Sequence, residues 1–187
     1  MCGFQTDWDR ELSAVQRRQR VTELIPAEEV QQRVEELARL ISRDFAGKDL
    51  LMIGILKGAK VFVEALVNKM EIKPSVDFVT AKSYASSTES GGRVDVDFHV
   101  KEPIEGRHVL VVDDVADTGL TFNEVCQEVS KRKPASLKTC VLCDKAARRT
   151  KPVKLDYVGF FVPNRFLVGF GMGYRGLYRD LPYIGFI

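Results

Sequence analysis

The chain has 187 residues, 45% of them hydrophobic, and its 28 basic and 26 acidic residues leave a formal net charge of +2. This length and apolar content predict a single domain with a sizeable core, and the near-neutral charge argues against nucleic acid as a partner. Residues 1–21 lack the apolar stretch of a signal peptide and no run approaches the ~18 apolar residues of a membrane span, so we expect a cytoplasmic protein without membrane contact.

The first predicted element follows a polar N-terminal arm, residues 1–21, and belongs to a domain that spans residues 22–187. Pro26 opens a helix that extends to about Asp44. The apolar residues of this helix recur at helical spacing and define one buried face. They are Val30, Val34, Leu37, Ala38, Ile41 and Phe45.

Strands and helices then alternate. Residues 50–56 predict a buried strand, Lys57 and Gly58 a turn, residues 59–70 a second helix, and residues 76–82 another strand.

A segment rich in serine, threonine and glycine follows at residues 84–93, which by itself indicates a hairpin loop. Residues 94–100 alternate apolar and polar side chains and predict a half-exposed strand that returns from this loop.

The most informative segment is VLVVDDVADTGLT, residues 109–121. Its four aliphatic residues predict a strand buried on both faces, and residues 122–133 predict a helix. The pair Asp113 and Asp114 therefore lies where a strand gives way to a helix, which is where open α/β sheets bind ligands. The helix N-terminus suits a phosphate, and the paired carboxylates suit a divalent cation or sugar hydroxyls.

The turn after the acidic pair strengthens the phosphate interpretation. Thr118 and Thr121 add hydroxyl donors, and Gly119 allows the backbone to approach a ligand closely. The alternative is a solvated acidic turn, since carboxylates are mostly exposed. The chain has no GxxxxGK[ST], and no GxGxxG follows its first strand, so neither a P-loop nor a dinucleotide site is indicated.

The C-terminal third predicts strands at residues 137–143 and 157–162, with residues 166–170 as a candidate for another. Cys140 and Cys143 have a CxxC spacing, but no further ligands follow nearby and both histidines are distant in the sequence. A reduced pair of small apolar side chains is favoured over a zinc or redox site.

The segment at residues 109–121 resembles the phosphoribosyl-pyrophosphate (PRPP) binding motif of type I phosphoribosyltransferases. Further segments narrow the resemblance to the hypoxanthine-guanine phosphoribosyltransferase family, and they keep their order from about Leu24 to the C-terminus. These are residues 55–59 (ILKGA), 82–84 (KSY), 141–145 (VLCDK), 166–171 (FLVGFG) and 178–183 (YRDLPY).

The resemblance implies a type I phosphoribosyltransferase fold: a central, mostly parallel twisted sheet flanked by helices, with a small hood formed by the N- and C-terminal segments. It also implies a flexible active-site loop that includes Ser83 and Tyr84 and excludes water when it closes. The implied reaction is purine salvage, in which the 5-phosphoribosyl group passes from PRPP to N9 of hypoxanthine or guanine. Mg²⁺ is the implied cofactor, and the products are IMP or GMP and pyrophosphate.

The resemblance places the 5-phosphate in the loop from Ala116 to Thr121, on backbone N–H groups and the two threonine hydroxyls. Asp113 and Asp114 are the implied metal ligands and contact the ribose hydroxyls directly or through magnesium. The full set of implied PRPP contacts is Lys57, Gly58, Asp113, Asp114, Ala116, Asp117, Thr118, Gly119, Leu120, Thr121 and Arg179.

Two of these residues are implied to bind the pyrophosphate group. In the family, the peptide before Lys57 can be cis, which turns an N–H towards the anion. Arg179 offers a planar fork that matches phosphate oxygens. Without the resemblance, Lys57 would be interpreted as a solvated lysine at a strand end.

Asp117 corresponds to the family's general base near N7 of the purine. A carboxylate suits that role if a partly desolvated, acidic neighbourhood raises its pKa. The alternative role is a helix N-cap, which aspartate performs well and which is compatible with the first.

Lys145, Phe166, Leu167 and Gly173 are the implied purine contacts. A lysine only donates hydrogen bonds, so Lys145 would favour a 6-oxo over a 6-amino group. Phe166 would stack on the purine, and the Leu167 backbone would bond to its edge. Without the resemblance, Lys145 would be a solvated loop lysine and Phe166 a core side chain.

Gly173 departs from the family pattern, in which this position usually carries an aspartate that helps to bind a second magnesium ion. Glycine retains the backbone carbonyl that faces the 2-amino group of guanine but lacks the carboxylate. We therefore expect weaker or altered binding of the second metal.

Two alternative functions remain open. One is a phosphoribosyltransferase that prefers xanthine, and the other is a PRPP-binding regulatory protein of the same fold. The resemblance and the apolar C-terminal residues 183–187 suggest a homodimer or homotetramer.

Overall fold

A computed structural model describes residues 20–83 and 94–187. Residues 1–19 of the predicted arm, and Tyr84 with most of the predicted loop, lie outside the described residues. The division into an arm and one domain therefore stays a prediction.

A six-stranded sheet forms the centre of the molecule. Its strands are β2 (Leu50–Leu56), β3 (Ser75–Ser83), β4 (Val94–Asp97), β5 (His108–Ala116), β6 (Ser136–Asp144) and β7 (Tyr157–Phe161). They lie in the order β4-β3-β2-β5-β6-β7. All neighbouring strands are parallel except β4, which pairs antiparallel with β3.

Helices cover both faces of this sheet. Helices α1 (Ala27–Asp44) and α2 (Ala59–Lys69) bury apolar side chains together with Met52 and Leu110. Helix α3 (Leu120–Ser130) packs on the opposite face with Ile53 and Val111. This two-sided burial explains why the inner strands are almost continuously apolar.

A second sheet of three strands joins the two ends of the domain, in the order β1-β9-β8. Strand β1 (Thr22–Ile25) pairs antiparallel with β9 (Ile184–Phe186), and β9 pairs with β8 (Leu167–Val168). Neither β1 nor β9 was predicted from the sequence, because strands this short carry no periodic signal.

Most predicted elements are confirmed to within two or three residues. The predicted apolar face of α1 is fully buried, from Val30 at 0% to Phe45 at 1% exposure. The motif strand is longer than expected, since β5 continues through the acidic pair to Ala116. The strand expected at residues 94–100 ends at Asp97, and the candidate at 166–170 shortens to β8.

Candidate active site

The site lies at the carboxyl ends of β2 and β5, where the strand order reverses direction. From β2 the chain crosses to β3 on one side, whereas β5 lies on the other side of β2. Pairing between β2 and β5 ends at Gly54 and Val112, although both strands continue. In open α/β sheets such a reversal leaves a crevice in which ligands bind.

The turn after β2 and the acidic pair of β5 meet in this crevice. A Cβ added at Gly58 would lie 1.7 Å from Oδ2 of Asp114, so only glycine fits beside that carboxylate. The Leu56–Lys57 peptide is cis, as the family resemblance suggested, and the Lys57 side chain is exposed.

A small cavity of about 60 Å³ lies beneath the loop between β5 and α3. Gly119 takes a left-handed conformation there, with φ +86°. Among the described residues, no group accepts a hydrogen bond from the backbone N–H of Asp117, Thr118 or Gly119. These donors and the positive end of α3 form an arrangement suited to an anion. The cavity is lined by Asp113, Val115, Ala116, Asp117, Thr118, Gly119, Thr121 and Phe122.

A larger cavity of about 360 Å³ adjoins the loop and contains most of the remaining predicted site residues. The predicted residues that line it are Gly58, Asp114, Asp117, Lys145, Phe166, Leu167, Gly173 and Arg179.

Asp117 lies between two cations in this cavity. Its Oδ2 is 3.7 Å from Nζ of Lys145 and 3.3 Å from Nη1 of Arg148. Its Oδ1 is buried without a hydrogen-bond partner among the described residues. The charged groups that pair with its carboxylate are therefore basic, in contrast to the acidic neighbourhood considered from the sequence. Its side chain also makes no helix-capping bond to α3.

The two carboxylates of the acidic pair differ in environment. Asp113 is buried, at 8% exposure, whereas Asp114 is partly exposed and lines the larger cavity. Burial, reinforced by the neighbouring charge of Asp114, raises the pKa of Asp113 well above its usual value.

The two carboxylates of the acidic pair fit magnesium only together with further oxygen ligands. In the described ranges, no three His, Cys, Asp or Glu side chains cluster around a possible metal position. Mg²⁺ is commonly held by one or two carboxylates, with water and substrate phosphates completing its shell. Asp113 and Asp114 supply that minimum, so a metal here would need oxygen atoms from a bound substrate.

The far wall of the larger cavity is apolar and aromatic. Phe166 is 49% exposed and makes an edge-on contact with Tyr174 at a ring-centroid distance of 5.3 Å. The core placement weighed for Phe166 is therefore wrong. Leu167 is buried beside it.

Gly173 and Arg179 are in direct contact at the edge of this wall. A Cβ at Gly173 would lie 2.7 Å from Cγ of Arg179 and 2.8 Å from the Leu177 carbonyl oxygen. The Arg179 guanidinium donates a hydrogen bond to the Gly171 carbonyl oxygen. Any side chain at position 173 would therefore require Arg179 to move.

Two predicted site residues in the described part of the chain, Lys57 and Leu120, line neither cavity, although they belong to segments that border them. Ser83 is the last residue of β3. Tyr84 lies outside the described residues.

Other cavity residues were missed by the sequence analysis. They are Val115, Phe122, Arg148, Asn164, Arg165 and Met172. In the sequence, the two charged residues among them resembled ordinary solvated chain. For Arg148 the one available signal was its closeness to Lys145 in the sequence.

The cysteine pair behaves as expected. Cys140 and Cys143 are buried free thiols. Burial raises the pKa of both, so neither is a reactive thiolate at neutral pH. No helix in the described part of the chain is long and apolar enough to cross a membrane.

Comparison with known families and proteins gives a consistent result. A family model described as phosphoribosyl transferase domain matches residues 21–175. The hypoxanthine-guanine phosphoribosyltransferase of Staphylococcus aureus is 38% identical over 162 residues, which cover 87% of this chain and 90% of that protein. The bifunctional protein TilS/HprT of Listeria monocytogenes is 38% identical over 88% of this chain, which spans only 25% of that relative's length.

Solved structures agree with these matches. A crystal structure of a hypoxanthine phosphoribosyltransferase from Staphylococcus aureus has a TM-score of 0.84 at 37% identity, covering 89% of this chain and 90% of that one. A hypoxanthine-guanine phosphoribosyltransferase from Bacillus anthracis, with a HEPES molecule in its active site, has a TM-score of 0.84 at 38% identity. That alignment covers 89% of this chain and 98% of the other.

Proposed function

The chain belongs to the phosphoribosyl transferase family, and from this premise we propose that it transfers the 5-phosphoribosyl group of PRPP to N9 of hypoxanthine or guanine. The products are IMP or GMP and pyrophosphate, and the role is purine salvage. The observation that carries the proposal is the position of Asp117, which lies in the loop between β5 and α3, lines both cavities and pairs with the Lys145 ammonium.

Lys145 recognises the base. Its side chain is only 7% exposed, and it lines the larger cavity. An ammonium group donates hydrogen bonds and accepts none, so it selects the 6-oxo group of hypoxanthine or guanine over the 6-amino group of adenine. The half-exposed ring of Phe166 stacks on the purine, and the backbone of Leu167 and Gly173 bonds to its edge.

Asp117 manages the proton on the base. Its Oδ1 is buried and has no hydrogen-bond partner in the described ranges, which leaves an acceptor available for N7–H of a 6-oxopurine. Because N9 gains a bond to the ribose, the base must lose one proton, and a positioned carboxylate accepts it. Lys145 and Arg148 hold this carboxylate in place through Oδ2.

The anionic parts of PRPP are divided among three groups of donors. The 5-phosphate binds the N–H groups and hydroxyls of the loop from Ala116 to Thr121. The turn at Lys57 and Gly58 and the fork of Arg179 bind the pyrophosphate. Asp113 and Asp114 would hold magnesium together with substrate oxygens, and a bound magnesium supplies charge neutralisation for the departing pyrophosphate.

Binding of a second metal is weaker than in relatives that have aspartate at the position of Gly173. The Arg179 side chain lies against this glycine, so a cationic side chain occupies the space beside it. Magnesium titrations of the rate, and calorimetric titrations of Mg²⁺ with pyrophosphate, should differ between the parent chain and Gly173→Asp. Identical metal dependence would contradict this part of the proposal.

Several broader features belong to the same proposal. The protein acts in the cytoplasm as a homodimer or homotetramer, on small-molecule substrates and without nucleic acid or membrane partners. Residues 84–93, which begin with Tyr84, together with Ser83 before them, form the loop that closes over the reacting centre. Residues 1–21 are an arm attached to the domain at residues 22–187.

A spectrophotometric assay of the purified chain with PRPP and Mg²⁺ tests the proposal, with hypoxanthine, guanine, xanthine and adenine supplied separately. We expect turnover of hypoxanthine or guanine. Turnover of xanthine alone would contradict the proposed substrates and indicate a xanthine-preferring phosphoribosyltransferase. No turnover of any base, with PRPP still bound, would favour a regulatory protein of the same fold.

A further inference from the structure

In the phosphate-type loop, residues 116–121, three consecutive backbone carbonyls, those of residues 116–118, accept hydrogen bonds from one neighbouring segment, residues 145–151, which we name the carbonyl clamp. The Ala116 carbonyl oxygen accepts hydrogen bonds from the Lys145 N–H at 3.0 Å and from Nη2 of Arg149 at 3.2 Å. The Asp117 carbonyl oxygen accepts one from Nε of Arg149 at 3.2 Å. The carbonyl oxygen of the residue after Asp117 is also hydrogen-bonded by the clamp, so the clamp holds three consecutive carbonyls.

That next residue is Thr118. Its carbonyl oxygen accepts hydrogen bonds from the N–H groups of Thr150 and Lys151, both at 3.0 Å, and from Oγ1 of Thr150 at 3.2 Å. The loop also packs closely on the clamp, because a Cβ at Gly119 would lie 2.6 Å from the Lys151 carbonyl oxygen and 2.9 Å from Cδ of Arg149.

These contacts determine which way the loop presents its N–H groups. In a trans peptide the C=O and the following N–H point in opposite directions across one plane. When the clamp holds the carbonyls of residues 116–118, the N–H groups of residues 117–119 must face away from it. Those are the three N–H groups that have no acceptor among the described residues.

Arg149 is the side chain that ties this arrangement to the rest of the fold. Its guanidinium is ion-paired with Asp144 at the end of β6, and the two side chains are only 16% and 9% exposed. One planar group therefore joins the sheet to two loop carbonyls at once. A lysine would keep the charge but could not reproduce the fork.

We propose that Arg149 is a positioning residue that orients the loop for the 5-phosphate, and that it links this subsite to base recognition because the clamp begins at Lys145. This inference rests on the proposed function, since it assumes that the loop binds a phosphate ester. Arg149 acts through the loop backbone without touching the phosphate itself.

The test is calorimetric titration of the purified chain with ribose 5-phosphate, comparing the parent with Arg149→Lys. Methionine is unsuitable because it would leave Asp144 as a buried, unpaired charge. The lysine variant should stay folded, and its Kd should rise ~10- to 100-fold, the range for losing charged hydrogen bonds. In turnover, KM for PRPP should rise by a similar factor, with a much smaller change in kcat.

Lys154→Gln is the control, because it alters a basic side chain next to the clamp in the sequence, at a residue whose side chain is 85% exposed and pairs only with Asp156 among the described residues. It should bind ribose 5-phosphate as the parent does. Unchanged affinity in Arg149→Lys, even with a lowered melting temperature, would overturn the inference. Failure of the parent to bind ribose 5-phosphate would also overturn it, whereas binding without purine transfer would overturn only the proposed function.

Discussion

Two charged clusters lie near opposite ends of β6, and they differ in whether a buried polar atom lacks a hydrogen-bond partner. At the amino end, Lys138 donates hydrogen bonds to Asp44 at 3.2 Å and to the Tyr157 hydroxyl at 2.9 Å. The Tyr157 hydroxyl donates to the same Asp44 oxygen at 2.8 Å. This triad is closed, because each member is paired with the other two.

At the carboxyl end of the same strand, Lys145 faces Asp117 across 3.7 Å, and one Asp117 oxygen is buried without a partner in the described part of the chain. Buried polar atoms are normally hydrogen-bonded, so an unpaired buried oxygen in a residue that lines a cavity indicates a ligand-binding group. The comparison suggests that the first cluster contributes to stability and the second to chemistry. Paired substitutions at the two ends test this division.

The largest expected effect is on turnover in Asp117→Asn. An amide cannot accept the purine proton as a base, so kcat should fall ~10²- to 10⁴-fold. Steady-state kinetics with hypoxanthine and PRPP measure this. The matched substitution Asp44→Asn should leave kcat unchanged, and equal losses in both variants would contradict the division.

The next effect is on base selection in Lys145→Gln. Glutamine both donates and accepts, so it loses the strict preference for a 6-oxo group. The kcat/KM for hypoxanthine should fall ~10- to 100-fold, and the discrimination against adenine should narrow. Lys138→Gln, the same change at the other end of β6, should alter neither quantity. Retained discrimination in Lys145→Gln would mean that another residue recognises the 6-position.

A smaller effect is expected on stability in Tyr157→Phe. Tyr157 is 3% exposed, and its hydroxyl takes part in two of the three hydrogen bonds of the triad. Removing it should lower the free energy of unfolding by ~1 kcal/mol, with kinetics unchanged. Urea unfolding followed by circular dichroism measures the loss. A lower kcat with an unchanged free energy of unfolding would contradict the division, because it would assign catalysis to the amino end of β6.

The smallest effect concerns acid stability. The hydrogen bond from the Tyr157 hydroxyl, helped by Lys138, lowers the pKa of Asp44. A lowered carboxyl pKa contributes stability above the unfolded-state value of ~4, and that contribution disappears as the pH falls through the folded-state pKa. The stability difference between the parent and Asp44→Asn should therefore shrink as the pH is lowered from 6 towards 3, in urea unfolding at each pH. A constant difference would show that Asp44 is not linked to protonation.

Much of this architecture followed from local patterns in the sequence. The apolar spacing from Val30 to Phe45 predicted α1, and the aliphatic run at residues 109–112 predicted a doubly buried strand. Both signals arise because burial on one or two faces demands a regular repeat of apolar residues. The acidic pair and glycine after that run predicted a ligand site at the strand-to-helix turn, since such turns gather at one edge of these sheets.

Only the tertiary structure decided how the charges around the site are arranged. Arg148 and Arg149 are adjacent in the sequence, yet Arg148 pairs with the Asp117 carboxylate and Arg149 bonds to the Ala116 and Asp117 carbonyls. Likewise, β1 and β9 pair although some 160 residues separate Thr22 from Phe186. A helix or strand that is buried along one face needs apolar residues at a regular spacing, and this spacing is visible in the sequence. A single contact between distant segments depends on the folded backbone and produces no repeating pattern.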